Sequence, residues 1–119
     1  MKLDDARYPF KRSDRVGHLI QKEISAIIVE LIKDPRVGFV TVTDVAVTDD
    51  LKSARVYFSI MGSEEDKLKS MEGLRSAKGF IQGELGRRLK LRYTPKISFF
   101  HDGSFERADR IDRLLKDLD

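Results

Sequence analysis

The run from Gly73 to Lys96, GLRSAKGFIQGELGRRLKLRYTPK, narrows what this chain can fold into more than any other stretch. Gly79, Gly83 and Gly86 fall at i, i+4 and i+7, so a helix here would gather them on one face and leave that face bare. Each glycine costs about 0.5–1 kcal/mol relative to alanine inside a helix. A strip of such residues predicts that something approaches the backbone closely, either a packed neighbouring element or a sugar-phosphate chain. Gly79 in particular is expected where a side chain is disfavoured, through positive φ or a close neighbour. The apolar period that ends near Leu74 starts afresh at Phe80 and Ile81, so Ala77-Lys78-Gly79 reads as a kink between two short helices. The window also holds seven cations, Arg75, Lys78, Arg87, Arg88, Lys90, Arg92 and Lys96, against one acid, Glu84, on a chain whose net charge is only +3. Positive charge concentrated in this way is a polyanion-binding signal.

The rest of the chain supplies one core. Its 119 residues fit a single domain. Residues 1–12 show no period and read as an arm, with Arg7, Lys11 and Arg12 beside Tyr8 and Phe10 as additional candidate nucleic-acid contacts; a frayed terminus is the plainer alternative. Ser13 is expected to cap a helix reaching Ile32, with Val16, Ile20, Ile24, Ile27, Ile28 and Leu31 on its buried stripe and Pro35 ending it. Phe39–Val47 reads as a strand whose alternation changes phase, which predicts a bulge near Thr43–Asp44. A turn through Thr48-Asp49-Asp50 leads to a strand over Ala54–Ile60, and the two should pair antiparallel. Ser63 caps the next helix, which turns Leu68, Met71 and Leu74 inward. The glycine-striped helix should pack through Ile81, Leu85 and Leu89. Thr94-Pro95 opens a third strand near Lys96–Phe100, and Ser104 begins a last helix. The expected class is α+β, a three-stranded sheet with helices largely on one face, in the order α-β-β-α-α-β-α.

No cysteine is present, so disulfides and thiolate metal sites are excluded. There is no GxxxxGK[ST] loop and no HExxH, and no cofactor or metal is expected. His101, Asp102 and Ser104 are the residue types of a hydrolytic triad, but such near neighbours in sequence cannot all converge on one bond. No apolar run approaches the about 18 residues of a membrane span, so the expected location is the cytoplasm, without a membrane partner.

An αββααβ order with its nucleic-acid contact between the two middle helices resembles a type II KH domain, which usually carries a GxxG loop at that junction. Here Ala77-Lys78-Gly79 stands instead, one residue short and without the first glycine. Together with Lys33-Asp34-Pro35-Arg36-Val37-Gly38-Phe39-Val40 and Arg110-Ile111-Asp112-Arg113-Leu114-Leu115, it resembles the bacterial ribosome-binding factor A family over roughly Ser13 to Leu118. The resemblance implies a KH-like RNA-binding domain over 13–119, with the family's kinked Ala-x-Gly junction at Ala77, Lys78 and Gly79. It implies a non-enzymatic assembly factor that binds the free, immature small ribosomal subunit and its ribosomal RNA. Such a factor supports late maturation of that RNA, including in the cold, and is released in connection with an assembly GTPase. A monomer is expected. The RNA contacts would be Arg75, Lys78, Gly79, Arg87, Arg88, Lys90 and Arg92. Two readings compete: Arg87 and Arg88 could merely complement helix carbonyls, and the domain could be a protein-binding adaptor without direct RNA contact.

Overall fold

The computed structural model describes residues 11–102. The arm over 1–10, including Arg7, and the helix expected from Ser104 lie outside the described residues. Within them the order is α1 (Arg12–Leu31), β1 (Val40–Val47), β2 (Ser53–Ile60), α2 (Glu64–Ser76), α3 (Lys78–Leu89) and β3 (Lys96–His101). This is the α-β-β-α-α-β order of a type II KH-like domain. The sheet runs β1-β2-β3, with β1 antiparallel to β2 and β3 parallel to it. A parallel neighbour requires a crossover, and the α2–α3 pair supplies it.

Burial follows the pleat. Ala54, Val56, Phe58 and Ile60 of β2 and Ile97 and Phe99 of β3 are buried beneath the helices, while Arg55 is exposed on the alternate phase. Val16, Ile20, Ile24 and Ile27 of α1 and Ile81 and Leu85 of α3 close the core, where Phe58 meets Phe99 edge-on at 5.1 Å. The bulge expected in β1 is present: Val42 pairs with Phe58 and Asp44 with Tyr57, so Thr43 is the extra residue. Its hydroxyl donates to the Asp102 carboxylate at 2.7 Å, and the Gln21 amide donates to the Val42 carbonyl at 3.1 Å. Nearby, α1 crosses β1 so closely that a Cβ on Gly17 would stand 2.9 Å from the Val45 carbonyl oxygen.

Three local expectations are corrected. The cap of α1 is Lys11, in extended backbone, whose N–H donates to Asp14 at 3.0 Å; Ser13 lies inside the helix and is buried. Leu31 is exposed and Ile28 half-buried, so the fully buried stripe of α1 ends at Ile27. Leu68 is exposed as well. The reason is that α2 packs through small residues, Ser70 and Gly73, against the loop after α1. The Ser70 hydroxyl donates to the Arg36 carbonyl at 3.2 Å and accepts from the Gly38 N–H at 3.2 Å. A Cβ on Gly73 would stand 2.8 Å from Val37. Asp34 braces that loop, accepting from the Arg36 N–H at 2.9 Å and from its guanidinium at 2.7 Å. The Asp34-Pro35-Arg36 motif is thereby a structural joint.

Candidate nucleic-acid interface

Ala77 makes the kink. It has φ −87° and ψ 0°, and it closes α2 and opens α3 at once. Its N–H reaches the Gly73 and Leu74 carbonyls, and its own carbonyl accepts from Ile81 at 2.9 Å. Lys78 and Gly79 are therefore the first two residues of α3, and Gly79 is exposed. The expectation for Gly79 is overturned: its φ is not positive, and among the described residues no atom beyond its chain neighbours and its own helix backbone lies within 4 Å of where its Cβ would be. Gly83 is equally open. Only Gly86 is packed, its Cβ position 3.1 Å from the Thr94 hydroxyl. The glycine strip thus divides. Packing accounts for Gly86, while Gly79 and Gly83 present bare helix backbone to the surroundings beside the half-exposed Lys78.

The seven cations do not form one surface. Arg88 is clamped between helices, with ion pairs to Glu84 on α3 at 3.5 Å and to Glu23 and Glu30 on α1 at 3.5 and 3.4 Å. Arg87 pairs with Glu84 through both Nε and a terminal nitrogen. The Glu84 carboxyl is held below its ordinary range, first by the hydrogen bond from Arg87 and, against some desolvation, by the charges of Arg87 and Arg88. Arg75 points elsewhere, donating to the Phe99 carbonyl at 3.1 Å and lining a groove with Arg55, Tyr57, Phe100 and His101. Tyr57 and Phe100 stack there at 5.6 Å.

Lys78, Lys90 and Arg92 pair with no carboxylate among the described residues. They occupy opposite ends of α3, about 18 Å apart at a rise of about 1.5 Å per residue over its twelve residues. Lys90 ends the helix in left-handed backbone, φ 54°. Arg92 follows it, its guanidinium 5.5 Å from the centre of the exposed Tyr93 ring. Arg12, read from sequence as part of the arm, is the first residue of α1 and lies across a groove of about 670 Å³ from this loop. Lys11 forms an exposed pair with Asp49 at 3.7 Å.

Gln82 escaped sequence reasoning. Its amide donates to the Pro95 carbonyl and accepts from the Ile97 N–H, both at 2.9 Å, and so holds the start of β3 as another strand would. A polar residue on the inner half of α3, opposite a Thr-Pro strand entry, was the available signal. Of the triad residue types, Asp102 is buried and accepts from the Thr43 hydroxyl, and Ser104 lies outside the described residues.

Sequence and structure comparisons agree with one another. The family profile of ribosome-binding factor A matches residues 12–115. A Syntrophobacter fumaroxidans protein named ribosome-binding factor A is 50% identical over 111 residues, covering 92% of this chain and 95% of its own. A solution structure of a Thermotoga maritima protein, described as a candidate ribosome binding factor A, superposes with a TM-score of 0.69 at 32% identity, covering 86% of this chain and 93% of that one. A Thermus thermophilus ribosome binding factor A homology model, fitted into a cryo-EM map of a 30S–RbfA complex, superposes with a TM-score of 0.59 at 26% identity over 71% of this chain and 88% of that one. With the profile spanning residues 12–115 and relatives 43–50% identical over 92% of the chain, this protein belongs to the ribosome-binding factor A family.

Proposed function

We propose that this protein is an assembly factor that binds the free small ribosomal subunit through its RNA, with the kink at Ala77-Lys78-Gly79 as the principal contact. One observation carries this reading: among the described residues Gly79 and Gly83 leave helix backbone uncovered next to Lys78, which pairs with no carboxylate there, and no packing explains either glycine. A bare helix face allows a sugar-phosphate chain to come closer than any side chain would permit, and Lys78 supplies charge for a phosphate. The Thermus relative fitted into a 30S complex map supports the small subunit as the partner. Support of late ribosomal RNA maturation, including in the cold, release linked to an assembly GTPase, action as a monomer and a cytoplasmic location extend the same reading by family membership. No helix among the described residues is long and apolar enough to cross a membrane. Catalysis is not part of the proposal.

Phosphate contacts are now assigned to Lys78, with Lys90 and Arg92 at the far end of α3. Arg87 and Arg88 are engaged within the fold, and Arg75 serves the sheet edge. The test is co-sedimentation of the purified protein with free small subunits over a range of salt. Binding should weaken with a log–log slope of about −0.7 to −0.9 per phosphate contacted. Lys78→Gln should lower the magnitude of that slope by about one contact while leaving the melting temperature unchanged. Binding indifferent to salt would instead favour the adaptor reading, in which the subunit is held through protein alone.

A further inference from the structure

We propose that the groove between the β1–β2 turn and the α3–β3 loop is a second nucleic-acid contact, one that holds a single unpaired nucleotide with its base on Tyr93 and its phosphate among Arg12, Lys52 and Arg92. This inference rests on the RNA-binding reading above and adds to it a site and a ligand class. Its first support is convergence. Arg12 comes from the first residue of α1, Lys52 from the turn between β1 and β2, and Arg92 from the loop after α3, and all three line one groove of about 670 Å³. That volume lies within the range of small-ligand sites, about 300–1,000 Å³.

Charge supplies the second support. The one acid in the lining, Asp50, is turned to the protein: it accepts from the Thr48 hydroxyl at 2.7 Å and from the Lys52 N–H at 3.0 Å. None of the three cations pairs with a carboxylate among the described residues, so the groove presents a net positive field to whatever enters it. The third support is the ring. Tyr93 is 75% exposed, with the Arg92 guanidinium over one face at 5.5 Å. An exposed aromatic flanked by cations is the arrangement that binds single-stranded nucleic acid, because any base can stack on a ring whatever its identity. Leu51 and Leu91 add apolar wall beside it.

The backbone points to the same place. Among the described residues two non-glycine residues hold positive φ, Leu51 at 62° and Lys90 at 54°. Leu51 belongs to one bank of the groove, and Lys90 starts the loop that makes the other. Both conformations are unfavourable for a residue with a side chain, and such positions gather at ligand sites. The kink stands at the start of α3 and the groove's Leu91–Thr94 bank follows its far end, with about 18 Å of helix between them, so the two contacts are separate.

Tyrosine fluorescence tests the proposal, since the chain contains three tyrosines and no tryptophan. Titration of the full chain with a short oligouridylate should quench that emission. In Tyr93→Phe the quenching should vanish, while binding measured by anisotropy stays within about twofold because stacking is retained. Tyr93→Ala should bind about tenfold more weakly or worse. Arg12→Gln and Lys52→Gln should each reduce the salt slope by about one contact at unchanged melting temperature. Quenching that persists in Tyr93→Phe overturns the proposal, as does its absence from the unaltered chain, which is also the outcome if the chain's first ten residues fill the groove themselves. Co-sedimentation with small subunits separates the two readings. Intact subunit binding with wild-type behaviour of every Tyr93 variant defeats the groove and leaves the function standing. Quenching at Tyr93 without subunit binding does the reverse.

Discussion

Arg88 reaches from α3 to Glu23 and Glu30 on α1 while meeting Glu84 on its own helix, so its removal leaves three carboxylates facing one another. Arg87 is far more exposed and, among the described residues, shares only Glu84. Arg88→Ala is therefore expected to lower the melting temperature more than Arg87→Ala does, and to leave the salt slope of RNA binding unaltered. A thermal melt and a salt titration on each variant check both parts; a reduced slope for Arg88→Ala at constant stability would restore it as a phosphate contact. The Gly73–Lys96 window shows only Glu84 as a counter-charge, because Glu30 is 58 positions from Arg88 and comes close only once α1 packs on α3. Gln82 was hidden for a related reason: its two partners are backbone groups, which every sequence contains. Gln82→Ala should destabilise the domain by about 1–3 kcal/mol, since the part-buried Ile97 N–H and Pro95 carbonyl lose their partner. Urea denaturation measures this, and a midpoint equal to that of the unaltered chain would show water replacing the amide without cost.

At the scale of single elements, signals confined to a few residues were readable. The phase change between Val42 and Val45 announced a bulge near Thr43–Asp44, and Ser63 announced the cap of α2, which Asp66 completes. In that cap the Asp66 N–H donates to the Ser63 hydroxyl at 3.1 Å, and the Ser63 N–H donates to the Asp66 carboxylate at 3.0 Å. The Asp66 carboxyl is held below its ordinary range, first by that backbone N–H and then by the Ser63 side chain. Asp34 is lowered likewise, first by the Arg36 guanidinium, and Asp50 first by the Thr48 hydroxyl. The sign follows from linkage. A carboxyl whose folded pKa lies below its unfolded value stabilises the fold above about pH 4, and that contribution is lost as pH falls through the folded value. Melting temperature should therefore be flat above about pH 5 and decline below about pH 4, with a shallower acid decline in Asp66→Asn. Circular-dichroism melts across this range decide it, and an unaltered acid limb in Asp66→Asn would remove the cap from the account. The facing of α2 was not readable in the same way. Its apolar period favoured Leu68, but the helix meets the Asp34–Gly38 loop through Ser70 and Gly73, residues whose smallness matters only against a specific neighbour.

Across the whole molecule, a segment continuous in sequence becomes several separate functions in space. Its first arginine serves the sheet edge, its kink opens bare backbone, Arg88 locks α3 to α1, and Arg92 lines a groove shared with the start of α1 and the β1–β2 turn. The fold was legible because alternation and helical period are local, whereas the division of the basic segment depends on the packing of α1 against α3. The account's central claim is that Gly79 and Gly83 are glycine for the sake of a partner and not for the fold. A double variant, Gly79→Gln with Gly83→Gln, separates these directly. Both replacements put a good helix former at open, exposed positions, each favourable to the helix by up to about 1 kcal/mol. Melting and co-sedimentation with free small subunits, performed on the same preparation, should show a melting temperature raised by a few degrees and subunit binding weakened at least about tenfold. A variant that melts higher and still binds as tightly as the unaltered chain would contradict the claim.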